Sequence, residues 1–224
     1  MTILARLLHI SPWAQALTPA LRTRVESETV ARACPAGTQV CRKGEPVEHW
    51  IGVVDGLVKM ANVSADGKST SFVGVGTGGW FGEGSLLKDE PRRYNIIALR
   101  DSTIAFMPRA TFTALLDHSV PFNRFLIMQL NERLGQFIGM VEHDRLLGPD
   151  ARLARALAAL FNPVLYPGVG PTLPIAQEEM GQLVGLSRQR ANQALNVLER
   201  AGLLRVDYGG VTVLDLPGLR RFEG

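Results

Sequence analysis

The sequence predicts an α+β fold with an antiparallel β domain of sandwich or barrel type, a long helix and a C-terminal winged helix-turn-helix. Three observations predict it. Turn signals recur through the first half, a continuous helical pattern fills the middle, and a helix, tight turn, helix and hairpin close the chain. We expect these units to occupy residues 1–121, 122–148 and 149–224, with short helices preceding the β domain.

The β domain is predicted by glycine and by short runs of alternating polarity across residues 34–121. Its turn signals recur every 11–12 residues, at Lys43-Gly44, Asp55-Gly56, Asp66-Gly67 and Gly78-Gly79. This rhythm is typical of a small antiparallel sandwich or barrel.

The long helix is predicted by a glycine-poor stretch that starts at Pro121. One apolar stripe has the spacing 3, 4, 3, 4 and comprises Ile127, Leu130, Leu134, Phe137 and Val141. Such a stripe is typical of a helix that packs against a partner helix, here in a second copy of the chain. A second apolar set is available to cover the β domain: Leu126, Met128, Ile138 and Met140. The alternative, that the first stripe covers the β domain itself, stays open.

The C-terminal unit begins with a helix that we expect to run from Asp150, as N-cap, to about Phe161. A connector rich in proline and glycine, 162–174, follows it. Next come two short helices, separated by "GLS", and then two strands around Tyr208-Gly209-Gly210. Together with the first helix they make a winged helix-turn-helix.

The turn of this motif has the residues that its geometry needs. Gly181 provides the small residue where the two helices cross, and Gly185, four positions later, tolerates a positive φ. Ser187 is a suitable N-cap for the second helix, 187–199.

The face of this second helix that opposes its apolar side carries hydrogen-bonding groups suited to base edges. Arg188 suits guanine, the amides of Gln189, Asn192 and Gln193 suit adenine, and Ser187 and Arg190 suit phosphates. Double-stranded DNA is therefore the predicted partner, against the alternative of a merely solvated face. The net charge of +3 permits this binding without indicating it.

Other classes of protein fit the composition poorly. Without a long apolar run or a clean signal peptide, we expect a cytoplasmic protein that does not span a membrane. Cys34 and Cys41 are too few for a disulfide framework or an iron–sulfur cluster, and the four histidines are scattered, so we expect no metal and no cofactor. Neither a cupin-like ligand cluster nor a nucleophile–base pair supports an enzyme.

The chain resembles the CRP/FNR family of bacterial transcription regulators over nearly its full length. The resemblance is carried by "FGEGSLLKDEPRRYNIIALRDSTIAFMP" (81–108), by "GPDARLARALAAL" ending the long helix, and by "QEEMGQLVGLSRQRANQALNVLERAGLL" (177–204). It implies a cyclic-nucleotide-binding-type β-roll of jelly-roll form and a homodimer joined by the central helix. It also implies a pseudo-palindromic operator, helix 187–199 in the major groove, and RNA polymerase as a partner.

The family's phosphate-binding motif resembles Gly82-Glu83 followed by Arg92 and Arg93. In cyclic-AMP-binding members the Glu contacts the ribose hydroxyl, the Arg pairs with the cyclic phosphate, and a Ser or Thr follows. Here Arg93 stands in place of that hydroxyl residue, and shifting the alignment by one residue places Tyr94 there.

The purine-reading residues also differ from those of cyclic-AMP binders. Phe137 and Ile138 align with the Thr-Ser pair that reads adenine, and neither forms those hydrogen bonds. We therefore expect an altered pocket that does not bind cyclic AMP. Two readings stay open: a collapsed pocket in which Glu83 and Arg92 pair, or an unknown anionic effector held by Arg92 and Arg93. A regulatory module without DNA reading, and a redox-responsive regulator using Cys34 and Cys41, remain alternatives.

Overall fold

A computed structural model describes residues 2–63 and 69–224 of the chain and confirms the predicted fold class. The helices are α1 (Ile3–Ile10), α2 (Pro12–Gln15), α3 (Pro19–Glu28), α4 (Glu83–Lys88), α5 (Arg109–His118), α6 (Val120–Leu146), α7 (Pro149–Ala159), α8 (Gln177–Val184), α9 (Arg188–Arg200) and α10 (Leu216–Arg221). The strands are β1 (Val30–Cys34), β2 (Gln39–Cys41), β3 (His49–Asp55), β4 (Leu57–Val63), β5 (Ser69–Gly76), β6 (Trp80–Phe81), β7 (Asn95–Ala98), β8 (Ser102–Pro108), β9 (Thr172–Leu173), β10 (Leu204–Asp207) and β11 (Gly210–Val213).

Two antiparallel four-stranded sheets form the β-roll, with strand orders β1-β8-β3-β6 and β2-β7-β4-β5. Successive residues of a strand face opposite sides of its sheet. On β3, Ile51 and Val53 therefore enter the roll interior, whereas Trp50 and Val54 pack under the N-terminal helices. Three of the four expected turn signals lie between strands; the one at Asp66-Gly67 lies outside the described residues.

An aromatic cluster joins the N-terminal helices to the roll and to α6. The Trp50 and Trp80 rings stack with centroids 4.4 Å apart, and Trp13 packs 5.3 Å from each of them. Trp80 Nε1 donates a hydrogen bond to Ser11 Oγ at 3.0 Å, which fixes the start of α2. The apolar N-terminal segment is thus part of the protein core. In the described ranges, no helix has the length and hydropathy needed to cross a membrane.

Helix α6 begins at Val120, where the Ser119 side chain accepts a hydrogen bond from the Phe122 backbone at 3.3 Å. Its inward face differs from the expected one. Phe137 packs on the roll interior together with Met140, whereas Ile138 is 60% exposed. The exposed stripe, which we call the α6 seam, therefore comprises Ile127, Leu130, Leu134, Ile138 and Val141. Phe137 and Ile138 have exchanged their expected roles, and Met128 is exposed as well.

The expected irregular connector is more ordered than its composition indicates. Leu165 and Tyr166 are buried in the roll core, and Tyr166 Oη donates a hydrogen bond to Gln136 Oε1 of α6 at 3.2 Å. Its end forms β9, which pairs with β11 and makes the wing a three-stranded sheet in the order β10-β11-β9.

The C-terminal unit is a winged helix-turn-helix with its own apolar core, formed by α7, α8, α9, α10 and the wing. Asp150 is not the N-cap of α7. Gly148 occupies that position, because Pro149 begins the helix with its preset φ. The unit also contacts the roll: Lys59 Nζ donates to Gln182 Oε1 at 3.0 Å, and Arg100 pairs with Glu179 at 2.9 Å.

Candidate nucleic-acid interface and effector pocket

The two glycines of the helix-turn-helix lie where the sequence predicts them. Gly185 ends α8 in the left-handed region, at φ +67°. A Cβ on Gly181 would lie 2.7 Å from the Leu186 carbonyl oxygen, closer than side-chain carbons approach backbone. The Leu186 amide donates a hydrogen bond to the Gly181 carbonyl at 2.9 Å. The turn is therefore held by a backbone hydrogen bond, and the missing side chain of Gly181 provides the space for it.

Helix α9 runs from Arg188 to Arg200, one residue beyond the expected end. The Ser187 side chain caps it by accepting a hydrogen bond from the Arg190 backbone at 3.2 Å, as predicted. Its apolar face, formed by Ala191, Ala194, Leu195 and Leu198, is fully buried. This burial fixes the rotation of α9 and hence the direction of its polar face.

The polar face is exposed and consists of Ser187, Arg188, Gln189, Asn192 and Gln193. Among the described residues, none of the last four side chains forms a hydrogen bond or an ion pair with the protein. Their donors and acceptors are therefore available to a ligand. A duplex major groove, about 12 Å wide, accommodates such a helix face.

Arg190 differs from the other predicted contacts. Its guanidinium is half-buried and pairs with Asp150, in the first turn of α7, at 2.6 Å. The guanidinium is thus held against the motif in this structure, and only a part of it is open to a phosphate.

The roll pocket centres on Glu83, which follows Gly82 at the start of α4 and is only 2% exposed. Its carboxylate pairs with Arg133 of α6 at 3.4 Å and accepts a hydrogen bond from Trp50 Nε1 at 3.4 Å. The expectation that Glu83 pairs with Arg92 in a collapsed pocket is therefore wrong, because α6 provides the partner.

Arg133 is a pocket residue that the sequence reasoning missed. Its Nη2 donates to the Trp80 carbonyl at 2.9 Å, whereas Nε and Nη1 are buried and form no hydrogen bond with the described residues. A signal existed: Gln129 and Arg133, four residues apart, lie on the same face of α6 as the apolar Leu126. A buried guanidinium with free donors is a binding group for an anion.

The two arginines of the expected phosphate motif have different positions. Arg92 is buried, and its Nη2 donates to the His49 carbonyl at 3.1 Å. Arg93 lies at the surface, where it pairs with Glu90, so its assignment to the effector pocket is wrong. Tyr94 takes the inward place, and burial raises the pKa of its hydroxyl. The structure thus brings Gly82, Glu83 and Arg92 together but not Arg93.

Phe137 and Ile138 are likewise separated. Phe137 packs against the roll interior, as expected for a residue that fills the pocket. Ile138 belongs to the α6 seam and does not enter the roll of its own chain. Of the two residues, only Phe137 packs toward the roll interior of its own chain.

The two thiols lie in environments that disfavour the thiolate. Cys34 and Cys41 are both buried and free. Burial raises the pKa of Cys34, and it raises the pKa of Cys41 to about 11. Because the thiolate is the reactive form, both environments oppose oxidation, which weighs against the redox alternative.

Comparison with known proteins agrees with this architecture. Residues 31–119 match the cyclic nucleotide-binding domain model, and residues 151–222 match the Crp-like helix-turn-helix domain model. The cyclic AMP receptor protein of Thermus thermophilus is 28% identical, over 82% of this chain and 83% of that protein. A CRP-like cAMP-activated global transcriptional regulator of Mycobacterium tuberculosis is 25% identical, over 84% of this chain and 85% of that protein.

Solved structures share the fold. FixK2 from Bradyrhizobium japonicum superposes with a TM-score of 0.69 at 20% identity, covering 88% of this chain and 98% of that one. The two domain models together span most of the chain, in the same order as the roll and the winged helix-turn-helix. The chain therefore belongs to the CRP/FNR family of transcription regulators.

Proposed function

We propose that the protein is a homodimeric, sequence-specific DNA-binding regulator that reads base edges with α9. The single observation that carries this proposal is the exposed polar face of α9, on which Arg188, Gln189, Asn192 and Gln193 have no protein partner among the described residues, while the opposite face is buried. Paired reading helices enter successive major grooves about 34 Å apart, so we expect half-sites separated by roughly one helical turn of DNA.

The exposed α6 seam supports the proposal that the protein is a homodimer. Five aliphatic side chains along one helix are exposed in the single chain, although burying such a stripe is favourable. A parallel pairing of two α6 helices covers the stripe and relates the two reading helices by a twofold axis. Transcription regulation in the cytoplasm, with RNA polymerase as a further partner, follows from the same proposal.

Arg188 is the residue that we expect to read guanine. Arg188→Ala should cost about 1–3 kcal/mol of binding free energy and relax the base preference at one position of each half-site, because a bidentate contact is lost. Adenine preferences from Gln189 or Gln193 should remain. The measurement is a binding-site selection from random DNA with wild type and variant. Identical preferences in the two would show that α9 does not read DNA in this way.

Arg190→Ala is the matched control, since Arg190 lies on the same helix between the base-reading positions but faces Asp150. Its loss should weaken binding to all sequences alike and reduce the salt dependence, without altering the preferred site.

We further propose that the roll pocket is altered and does not use cyclic AMP, although two relatives are named for that ligand. Three observations support this. Glu83 is held by Arg133, Phe137 packs against the roll interior, and the hydroxyl residue expected after Arg92 is replaced by the surface residue Arg93. Arg92 and Arg133, both buried, suit an anionic effector of different shape.

Calorimetry with cyclic AMP tests this proposal. We expect weak or undetectable binding, because the Phe137 ring replaces a hydrogen-bonding side chain that would read adenine. The Thermus thermophilus relative, measured in the same buffer, is the positive control. A dissociation constant that is micromolar or tighter for this protein would refute the altered pocket.

A further inference from the structure

The connector between α7 and β9 lies against the roll as a strap, residues 162–171. It contains neither helix nor strand, yet its centre is buried, with Leu165 1% and Tyr166 2% exposed. Segments without regular structure normally run over the surface, because their backbone groups need water as a hydrogen-bond partner. The burial of this one therefore depends on specific partners within the protein.

Two side chains of the strap bind α6. Asn162 Nδ2 donates a hydrogen bond to Glu132 Oε2 at 2.7 Å, and Tyr166 Oη donates one to Gln136 Oε1 at 3.2 Å. Asn162 also closes the turn of the strap, since its Oδ1 accepts hydrogen bonds from two strap amides at 2.9 Å. These contacts fix the strap along one turn of α6.

Glycines provide the space in which the strap docks. A Cβ on Gly76, at the end of β5, would lie 2.9 Å from Val169 Cγ2 of the strap. A Cβ on Gly168, in the strap, would lie 2.7 Å from Ile10 Cδ1 of α1, and side-chain carbons do not approach each other so closely. The Gly168 amide also donates to the Thr77 carbonyl at 3.2 Å. The docked position is therefore fitted to the sequences of both the roll and the strap.

The strap lies next to the buried Arg133. Tyr166 bonds to Gln136, which is three residues along α6 from Arg133 and therefore on the same side of the helix. Burial raises the pKa of the Tyr166 hydroxyl, and the charge of Arg133 is the main influence against that rise. Arg133 is only 8% exposed, so an anion from solvent reaches its guanidinium only after a neighbouring side chain has moved.

The strap is the neighbour of Arg133 that moves at the lowest cost. The other two neighbours, Glu83 and Trp80, are both tied to Trp50, by a hydrogen bond at 3.4 Å and by ring stacking at 4.4 Å. The strap is held by single bonds to α6 and to Thr77 instead of a regular ladder. Segments held in this way open locally at a lower free energy than helices and strands do.

We propose that the strap acts as an autoinhibitory lid, which shields Arg133 from anions while Tyr166 is bonded to α6 and exposes the guanidinium when it opens. The strap ends at the wing, where the Pro171 carbonyl accepts a hydrogen bond from the Val213 amide at 3.0 Å. Opening of the lid therefore also loosens the winged unit from the roll. That regulatory consequence rests on the proposed function, whereas the shielding of Arg133 does not.

A matched pair of glycine-to-alanine variants tests how the strap is held. Gly76→Ala places a methyl group 2.9 Å from Val169 Cγ2, whereas a Cβ on Gly170, in the strap itself, meets none of the described residues within 4 Å. In hydrogen–deuterium exchange, Gly76→Ala should speed the exchange of the strap amides at least about fivefold, and Gly170→Ala should not. Asn162→Ala removes bonds of the strap without opening a cavity in the roll core, and it should act like Gly76→Ala.

Quenching of tryptophan fluorescence by two ions of opposite charge tests the shielding of Arg133. All three tryptophans are buried, and Arg133 Nη2 donates to the carbonyl of Trp80. In the wild type we expect little quenching by iodide or by caesium. In Gly76→Ala and Asn162→Ala, iodide quenching should rise at least about twofold and caesium quenching should not, because the exposed guanidinium attracts only the anion.

Three results would overturn the proposal. Unchanged strap exchange in both Gly76→Ala and Asn162→Ala would show that these contacts do not hold the strap. Faster exchange with unchanged iodide quenching would show that the strap does not cover Arg133, and an equal rise for iodide and caesium would show a general loosening of the roll. Neither measurement involves DNA, so each outcome is independent of whether α9 reads bases.

Discussion

Leu134→Asp should convert the protein into a monomer that no longer binds its operator. Leu134 is at the centre of the α6 seam and is 59% exposed in the single chain, so a partner helix is needed to bury it. The substitution places two carboxylates, one from each copy, in an apolar interface. We expect the dimer dissociation constant to rise at least about 100-fold, equivalent to ~3 kcal/mol. Sedimentation velocity at micromolar protein concentration measures this change.

Met128→Asp is the matched control for this experiment. Met128 is an exposed apolar residue of the same helix, about 120° around the axis from Leu134, so the dimer should persist. Phe137→Asp, by contrast, should destabilise the roll rather than the interface, because Phe137 packs inward. A wild-type protein that is already monomeric at micromolar concentration, or a dimeric Leu134→Asp, would show that the seam is not the interface.

The rotation of α6 about its axis shows why the spacing of apolar residues alone does not predict which side of a helix faces the core. Phe137 and Ile138 are neighbours, and either one continues a stripe of spacing 3 and 4 from Leu134. The choice depends on which side chain fits the roll interior, and that is set by strands distant in sequence. The existence of the helix follows from local pattern, whereas its rotation follows from tertiary packing.

The helix-turn-helix was predicted in more detail because its determinants are local. Gly181, Gly185 and Ser187 each act on backbone within five residues, and each has the role that the sequence indicates. The pairing of Arg190 with Asp150 escaped prediction, since it joins two helices across a connector of irregular composition. The composition of that connector predicts a loop, although Leu165 and Tyr166 anchor it in the roll core.

The roll pocket was the least predictable part. Its motif residues Glu83 and Arg92 are recognisable, but the partner of Glu83 lies 50 positions later, on α6. No local pattern connects them, because the contact arises only when α6 packs across the roll. The ion pair is therefore a result of the fold and not of local sequence.

Glu83→Gln should lower the free energy of unfolding by about 3–5 kcal/mol, the usual cost of removing one member of a buried ion pair. The substitution keeps the side-chain volume but removes the carboxylate that pairs with the buried Arg133 guanidinium, whose Nε and Nη1 form no hydrogen bond with the residues that the structure describes. Urea unfolding followed by tryptophan fluorescence measures the change, and Trp50, which donates to Glu83, is a reporter at the site.

A second variant separates the ion pair from general damage to the core. Combining Glu83→Gln with Arg133→Met removes both charges and should recover most of the lost stability, because an apolar replacement of a buried pair is often nearly neutral. Glu90→Gln, which breaks the surface pairs with Lys88 and Arg93, is the control and should change stability by less than about 1 kcal/mol. If Glu83→Gln costs no more than Glu90→Gln, Arg133 is not an uncompensated charge in the folded protein, and the pocket contains another counter-ion or water for it.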